Sequence, residues 1–122
     1  ISFVYFSDLI YFSAIICLLG HIFPAWLKFK GGKGIATYLG IILALSINLG
    51  IVFSVTWLLI LFIFKYSSLS SIVSTLVVLL YSISFNNLSL TFYLFTVFII
   101  IIFTHKENIV RLKNKSENKI KF

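Results

Sequence analysis

Residues 35–64 read IATYLGIILALSINLGIVFSVTWLLILFIF, a long run without a charged side chain. As a single helix rising about 1.5 Å per residue, this run would be roughly 45 Å long, well beyond a bilayer core of about 30 Å. Alternatively, the run breaks at residues 46–50, SINLG, where polar residues and a glycine cluster. Whether this run forms one helix or two decides the topology of the whole chain.

The composition places these apolar runs in a membrane. The chain has 122 residues, of which 61% are hydrophobic and 11% charged, whereas soluble domains carry roughly a quarter charged residues. Residues 9–20 and 66–104 are also free of charge, and apolar runs of about 18 residues or more are typical of membrane-spanning helices. We therefore predict an all-α integral membrane protein.

The positions of the charged residues favour the break. With the break, the chain makes five crossings, at about residues 5–22, 34–46, 50–64, 69–85 and 89–104. Lys65, the basic tail 105–122 and the lysines of residues 28–33 then lie on one side, whereas without the break Lys65 and the tail face away from the other lysines. Because basic loops stay cytoplasmic, we predict five crossings, with Asn86-Asn87 as an outer turn.

The remaining composition excludes several classes of function. The net charge of +7 is explained by basic cytoplasmic loops, so we expect no nucleic-acid partner. The single cysteine, Cys17, cannot form an intramolecular disulfide, and the sequence shows no Cys–His cluster, so we expect no metal and no cofactor. Because the chain contains no methionine and begins with Ile1, we expect it to be a fragment with its natural N-terminus upstream.

Residues 20–34, GHIFPAWLKFKGGKG, are the glycine-rich and basic part of the chain. They lead directly into the apolar run from Ile35, and a helix N-terminus with neighbouring lysines binds phosphate. The stretch is not a Walker A loop, because Leu27 stands where the first glycine belongs and Gly34 where Ser or Thr belongs. An ordinary basic membrane loop remains the alternative, and His21 alone is also compatible with a structural role.

A second polar cluster follows the last span. His105, Asn108 and Arg111 or Leu112 share a face at helical spacing, and the chain is expected to continue as helix out of the last span. Histidine can act as a general base near neutral pH. The alternative is a generic juxtamembrane basic helix with a weak Glu107–Arg111 surface pair. Residues 113–119 are expected to be frayed.

Together, these motifs resemble those of the bacterial acyl-phosphate-dependent glycerol-3-phosphate acyltransferases, the PlsY family. The second family motif, G-H-x-F-P-x-x-x-x-F-x-G-G-K-G-x-A-T, is matched from Gly20 to Thr37. The third, H-[RK]-x-N-I-x-R-L followed by Glu, is matched from His105 to Leu112 and then by Glu117. The family's first motif is absent, and Lys115 stands where many members have glycine.

The resemblance implies a fold of seven membrane helices, five of them within this chain, in the bacterial cytoplasmic membrane with motifs and C-terminus cytoplasmic. It implies transfer of a fatty acyl group from acyl phosphate to glycerol 3-phosphate, giving lysophosphatidic acid. It also implies catalytic roles for His105 and Asn108 and a structural role for Glu117. The substrate-binding residues that it implies are His21, Gly31, Gly32, Lys33, Gly34 and Thr37.

The sequence favours direct attack of the glycerol hydroxyl on the acyl carbonyl. No nucleophilic triad is visible, and an acyl phosphate is already activated, so the protein mainly has to hold two anions together and stabilise developing charge. His105 or a substrate phosphate would take the proton. The alternative is a transporter or an anion-binding subunit without catalytic activity, for which polar groups deep in the spans are expected. The sequence indicates no protein partner, and a monomer is compatible with it.

Overall fold

The computed structural model describes residues 7–22 and 34–120. In this part of the chain the regular secondary structure is helical, which confirms the predicted all-α class. A single 3₁₀ turn, Ile83–Phe85, follows the fourth helix. The α-helices are α1 Ser7–Ile22, α2 Ile35–Leu45, α3 Ile47–Phe64, α4 Ser67–Ser82, α5 Leu88–Thr104 and α6 Lys106–Lys113.

The long apolar run does break, at Ser46. This residue is extended, with φ −161° and ψ 124°, between the end of α2 and the start of α3. A Cβ atom added to Gly50 would overlap the side chain of Leu43. A larger residue at Gly50 would therefore separate the two helices, so the glycine in the SINLG stretch permits their close approach.

Two further connections are short turns with left-handed backbone. Lys65 ends α3 with φ 64°, and its N–H donates to the Leu61 carbonyl at 2.8 Å. Asn86 ends the 3₁₀ turn with φ 54°, and Asn87 caps α5 because its Oδ1 accepts from the Leu90 N–H at 3.1 Å. The turn predicted at Asn86-Asn87 is confirmed. The serines that follow Lys65, at positions 67, 68, 70 and 71, lie in the first two turns of α4.

Helix α4 packs between α3 and α5 and presents small hydroxyl side chains to the interior. These hydroxyls bond carbonyls of their own helix: Ser70 to Tyr66 at 2.7 Å, Ser74 to Ser70 at 2.6 Å and Thr75 to Ser71 at 3.0 Å. Small residues let membrane helices approach closely, and their polar atoms are satisfied without water. Around them lies an apolar core whose largest fully buried side chains include Tyr38 and Tyr93.

Not every helix is long enough to cross a bilayer unaided. Among the described residues, Ile47–Phe64 and Ser67–Phe85 are long and apolar enough. The α5–α6 pair would form a third span if its two bent halves are counted together, and the apolar stretches Leu9–Gly20 and Ile35–Leu45 are shorter. The count of five crossings therefore stays a prediction.

Candidate active site

His105 lies at a bend of 63° between α5 and α6, so the chain continues as helix after the last span, as expected, but changes direction there. The side chain is 3% exposed, and its Nδ1 lies 2.9 Å from the Ile101 carbonyl oxygen. The Thr104 hydroxyl and the His105 N–H donate to the same oxygen, both at 3.0 Å. Side chains that bond into the carbonyl ladder in this way are a recognised cause of helix kinks.

The contact with the Ile101 carbonyl also selects the tautomer of His105. A carbonyl oxygen only accepts, so Nδ1 carries the proton in this contact. In the neutral imidazole, Nε2 is then the nitrogen with the basic lone pair. A buried imidazole fixed in this form has the arrangement that a general base requires.

Glu117 is the centre of a hydrogen-bond network that joins α4, α6 and the segment after α6. Its Oε2 accepts from Ser68 Oγ at 2.9 Å and from Asn108 Nδ2 at 2.8 Å. Its Oε1 accepts from Arg111 Nε at 3.1 Å and from the Asn118 N–H at 3.2 Å. Arg111 thus pairs with Glu117 and not, as the helical spacing suggested, with Glu107.

This network keeps the carboxylate of Glu117 ionised although its side chain is only 7% exposed. Burial alone would raise the pKa of Glu117, but the hydrogen bonds it accepts outweigh that effect and lower the pKa to about 2. Because a carboxylate only accepts, it also requires the Nδ2 end of the Asn108 amide to face it. The Oδ1 of Asn108 is thereby directed to the opposite side.

His105, Asn108 and Glu117 line one polar cleft of about 240 Å³. The remaining described lining residues are Ser67, Ser68 and Asn118. The cleft lies at the start of α4 and the end of α5. It therefore brings together residues from the ends of two successive helices that lie on the same predicted side of the membrane.

Residues 113–119 are not frayed as expected, because the end of α6 is closed by a Schellman motif. The Ser116 N–H donates to the Arg111 carbonyl at 2.8 Å, and the Lys115 N–H to the Leu112 carbonyl at 3.3 Å. This motif needs a left-handed residue after the cap, and Lys115 has φ 57°. That requirement explains why glycine suits this position, and the turn directs Glu117 back onto α6.

Residues 20–34, which we call the glycine-lysine loop, are only partly described. Gly31, Gly32 and Lys33 lie outside the described residues, as does the side chain of His21 at the end of α1. Gly34 is the N-cap of α2 with φ 88°, and Thr37 is half-buried in the first turn of that helix. Neither belongs to the described lining of the polar cleft.

Sequence reasoning did not identify Ser67 and Ser68 as part of this cleft. Both residues follow the basic turn at Lys65 and lie on the same predicted side of the membrane as His105. This shared side was the only sequence signal that could have placed them in the cleft. Their contribution depends on a contact between Ser68 and Glu117, 49 residues apart in sequence, which no local pattern reveals.

An apolar groove of about 510 Å³ runs between α2 and α3. It begins at Ile35 and Ala36, in the first turn of α2, and extends to Leu58. Trp57, on its wall, is held by a hydrogen bond from Nε1 to Ser71 Oγ at 3.1 Å. The groove thus leads from the end of the glycine-lysine loop into the apolar part of the molecule.

Residues 1–115 match the profile of the family described as glycerol-3-phosphate acyltransferase. The chain belongs to this family. Among curated relatives that carry this name, the protein of Pelagibacter ubique is 49% identical over 116 residues, covering 95% of this chain and 60% of the relative. The protein of a Wolbachia from Brugia malayi is 51% identical over 109 residues, covering 89% of this chain and 56% of the relative.

The fold is similar to that of a solved family member, the integral membrane glycerol 3-phosphate acyltransferase PlsY (YgiH). Its glycerol 3-phosphate form superposes with a TM-score of 0.90 at 32% identity, over 93% of this chain and 57% of that structure. Its lysophosphatidic acid form gives the same TM-score over 59% of that structure. The chain therefore spans about 60% of the length of the family members that it matches.

Proposed function

We propose that this protein transfers a fatty acyl group from acyl phosphate to glycerol 3-phosphate, forming lysophosphatidic acid and phosphate in the bacterial cytoplasmic membrane. The observation that carries the proposal is the cleft in which His105 and Asn108 lie together, held by Glu117. Family membership and the glycerol 3-phosphate and lysophosphatidic acid forms of the similar structure support this choice of acceptor and product.

In the reaction that we propose, the 1-hydroxyl oxygen of glycerol 3-phosphate attacks the carbonyl carbon of the acyl phosphate. A new ester C–O bond forms, the bond between the carbonyl carbon and the phosphate oxygen breaks, and phosphate leaves. The hydroxyl proton goes to Nε2 of His105 or to a phosphate oxygen. We assign Asn108 to hydrogen bonding of the reacting groups, and Glu117 to the structural role of orienting Asn108.

The anionic part of glycerol 3-phosphate would bind at the start of α2. The first turn of a helix has N–H groups without helical acceptors and carries a partial positive charge, both of which favour phosphate. We therefore assign His21, Gly31, Gly32, Lys33, Gly34 and Thr37 to substrate binding.

The apolar groove between α2 and α3 offers a place for the tail of the acyl donor. Its lining includes the first turn of α2, beside the proposed anion site, so the chain of a donor could lie against Leu39, Phe53 and Leu58. The buried polar groups that α4 contributes bond their own helix, so no observation specifically favours a transporter.

The decisive experiment is an assay of the purified protein with its complete natural N-terminus, reconstituted in lipid. With acyl phosphate and labelled glycerol 3-phosphate, we expect lysophosphatidic acid and one phosphate per product. Acyl-CoA offered as the only donor should give no product. Product from acyl-CoA alone, or none from acyl phosphate, would contradict the proposal.

A further inference from the structure

The segment after α6 returns to the turn between α3 and α4. We call residues 114–120 the strap. The Ile120 N–H donates to the Lys65 carbonyl oxygen at 2.7 Å, a backbone contact between residues 55 positions apart. Its sequence separation distinguishes this bond from the local turns of the chain.

Lys65 offers an acceptor that its own helix cannot use. As the C-cap of α3, it has φ 64°, so its carbonyl leaves the direction of the helix axis. Carbonyls at helix C-termini lack helical donors and need partners from elsewhere. The next carbonyl, that of Tyr66, already accepts from the Ser70 N–H at 3.0 Å within α4, whereas Lys65 is supplied by the strap.

Two side chains of the strap reinforce this attachment. Nζ of Lys119 lies 5.7 Å from the centre of the Tyr66 ring, within the range of a cation–π interaction. Glu117 accepts from Ser68, in the first turn of α4. The strap therefore contacts three successive parts of the α3–α4 connection: Lys65, Tyr66 and Ser68.

The attachment bears directly on the polar cleft. Between its Schellman motif at Lys115 and its anchor at Ile120, the strap presents Glu117 to Asn108 at 2.8 Å. Both ends of this short stretch are fixed by backbone hydrogen bonds, so Glu117 has little freedom to move away from α6. Release of the Ile120 anchor would free the stretch on one side.

We propose that the strap is a positioning element for acyl transfer, in which the bond from Ile120 to Lys65 holds Glu117 against Asn108. This inference rests on the proposed function. The family profile matches residues 1–115, so the anchor at Ile120 lies beyond it.

The test compares Ile120→Pro, which removes the N–H donor, with Ile120→Ala, which keeps it. In the protein with its complete natural N-terminus, we expect Ile120→Pro to lower kcat about tenfold, since small displacements of reacting groups are costly. The KM for acyl phosphate should change by less than about twofold, because no residue of the strap is among the described lining of the acyl groove. Ile120→Ala should keep the wild-type kcat.

A double-mutant comparison separates positioning from a general loss of stability. If Ile120 acts through Glu117, then Ile120→Pro should lower kcat no further in a Glu117→Gln background. An additive loss, or equal kcat values for Ile120→Pro and Ile120→Ala, would overturn the inference. If Ile120→Pro does not fold, two glycines inserted between Asn118 and Lys119 slacken the strap without removing a donor, and the same loss is expected.

Amide hydrogen exchange keeps this test independent of the proposed function. Residues 106–113 should exchange about threefold faster in Ile120→Pro than in Ile120→Ala, because local opening of α6 becomes easier. Equal exchange would overturn the strap's role. A wild-type protein that forms no lysophosphatidic acid would instead disprove the proposed function, while the exchange comparison still decides whether the strap holds α6.

Discussion

The carboxylate of Glu117 connects α4 with α6 and the strap, which lie far from α4 in sequence. It accepts hydrogen bonds from α4, from α6 and from its own strap, and Arg111 provides the charge that balances it. Hydrogen bonds to a charged acceptor are stronger than those between neutral groups. Protonation of Glu117 should therefore loosen all three segments at once.

This dependence predicts how stability changes with pH. The folded-state pKa of Glu117 is lowered from 4.5 to about 2, so the stabilisation is fully present above about pH 4.5 and is lost as the pH falls towards 2. Glu117→Gln should flatten this part of the profile and lower the Tm at neutral pH. The measurement is the Tm in detergent between pH 2 and 7.

Glu107→Gln serves as the control because Glu107 is an exposed carboxylate on α6, the helix that Glu117 contacts. It should leave the acid part of the stability profile close to that of the wild type. An unchanged acid profile in Glu117→Gln would show that the network does not stabilise the fold.

Lys115 is a second residue whose conformation can be tested. At φ 57° it occupies the left-handed region that glycine adopts without penalty. We expect Lys115→Gly to raise the free energy of unfolding by about 0.5–1 kcal/mol, the left-handed penalty less the entropy cost of glycine. Chemical denaturation in detergent measures this change.

Lys115→Ala removes the same charge but keeps a Cβ atom, so it should give no such gain. Equal stabilisation by both variants would assign the effect to charge and contradict the conformational explanation.

At the level of elements, the connection from α1 to α2 depends on Gly34. With φ 88°, this residue allows the chain to enter α2, and a Cβ atom there would lie 2.9 Å from both Leu18 Cδ1 and Ile22 Cδ1. We expect Gly34→Ala to destabilise the protein by about 1–3 kcal/mol through strain and displacement of α1. Thermal unfolding of the purified variant measures this effect.

Gly40, in the middle of α2, provides the matched control. A Cβ atom there meets nothing within 4 Å, so Gly40→Ala should stabilise the helix by about 0.5–1 kcal/mol. A Gly34→Ala variant as stable as Gly40→Ala would contradict the tight junction between α1 and α2.

The elements could be predicted from the sequence wherever a local signal marked their ends. The SINLG stretch predicted the break at Ser46, and Asn86-Asn87 predicted the turn before α5. The bend at His105 carried neither proline nor glycine, because its cause is a side chain that bonds the Ile101 carbonyl. The docking of the strap was missed because the bond from Ile120 to Lys65 is long-range and polar composition alone predicts disorder.

Likewise, only part of the candidate site could be predicted from the sequence. Motif spacing predicted that His105 and Asn108 lie together, and both line the cleft. Glu117, which orients Asn108, meets its further partner Ser68 only when α4 and the strap fold together. Whether the glycine-lysine loop closes this cleft stays a prediction, because residues 31–33 lie outside the described part of the chain.

At the level of the whole molecule, the five-crossing topology predicts that the turn at Asn87 and the basic segment at Lys113 lie on opposite sides of the membrane. In a Cys17→Ser background, Asn87→Cys should react with an impermeant maleimide added to intact spheroplasts. Lys113→Cys should react only after the membrane is permeabilised, because basic segments stay cytoplasmic. Mass spectrometry of each variant shows whether its cysteine has been labelled. Labelling of Lys113→Cys in intact spheroplasts would contradict the topology.

The central claim is that acyl transfer takes place at the cleft of His105 and Asn108. The most direct measurement is the rate of lysophosphatidic acid formation from acyl phosphate by Asn108→Ala, beside Val110→Ala on the exposed face of the same helix. We predict a loss of about 100-fold or more in kcat for Asn108→Ala, typical of removing a group that stabilises developing charge, and a wild-type rate for Val110→Ala. A folded Asn108→Ala protein with the wild-type rate would contradict the account.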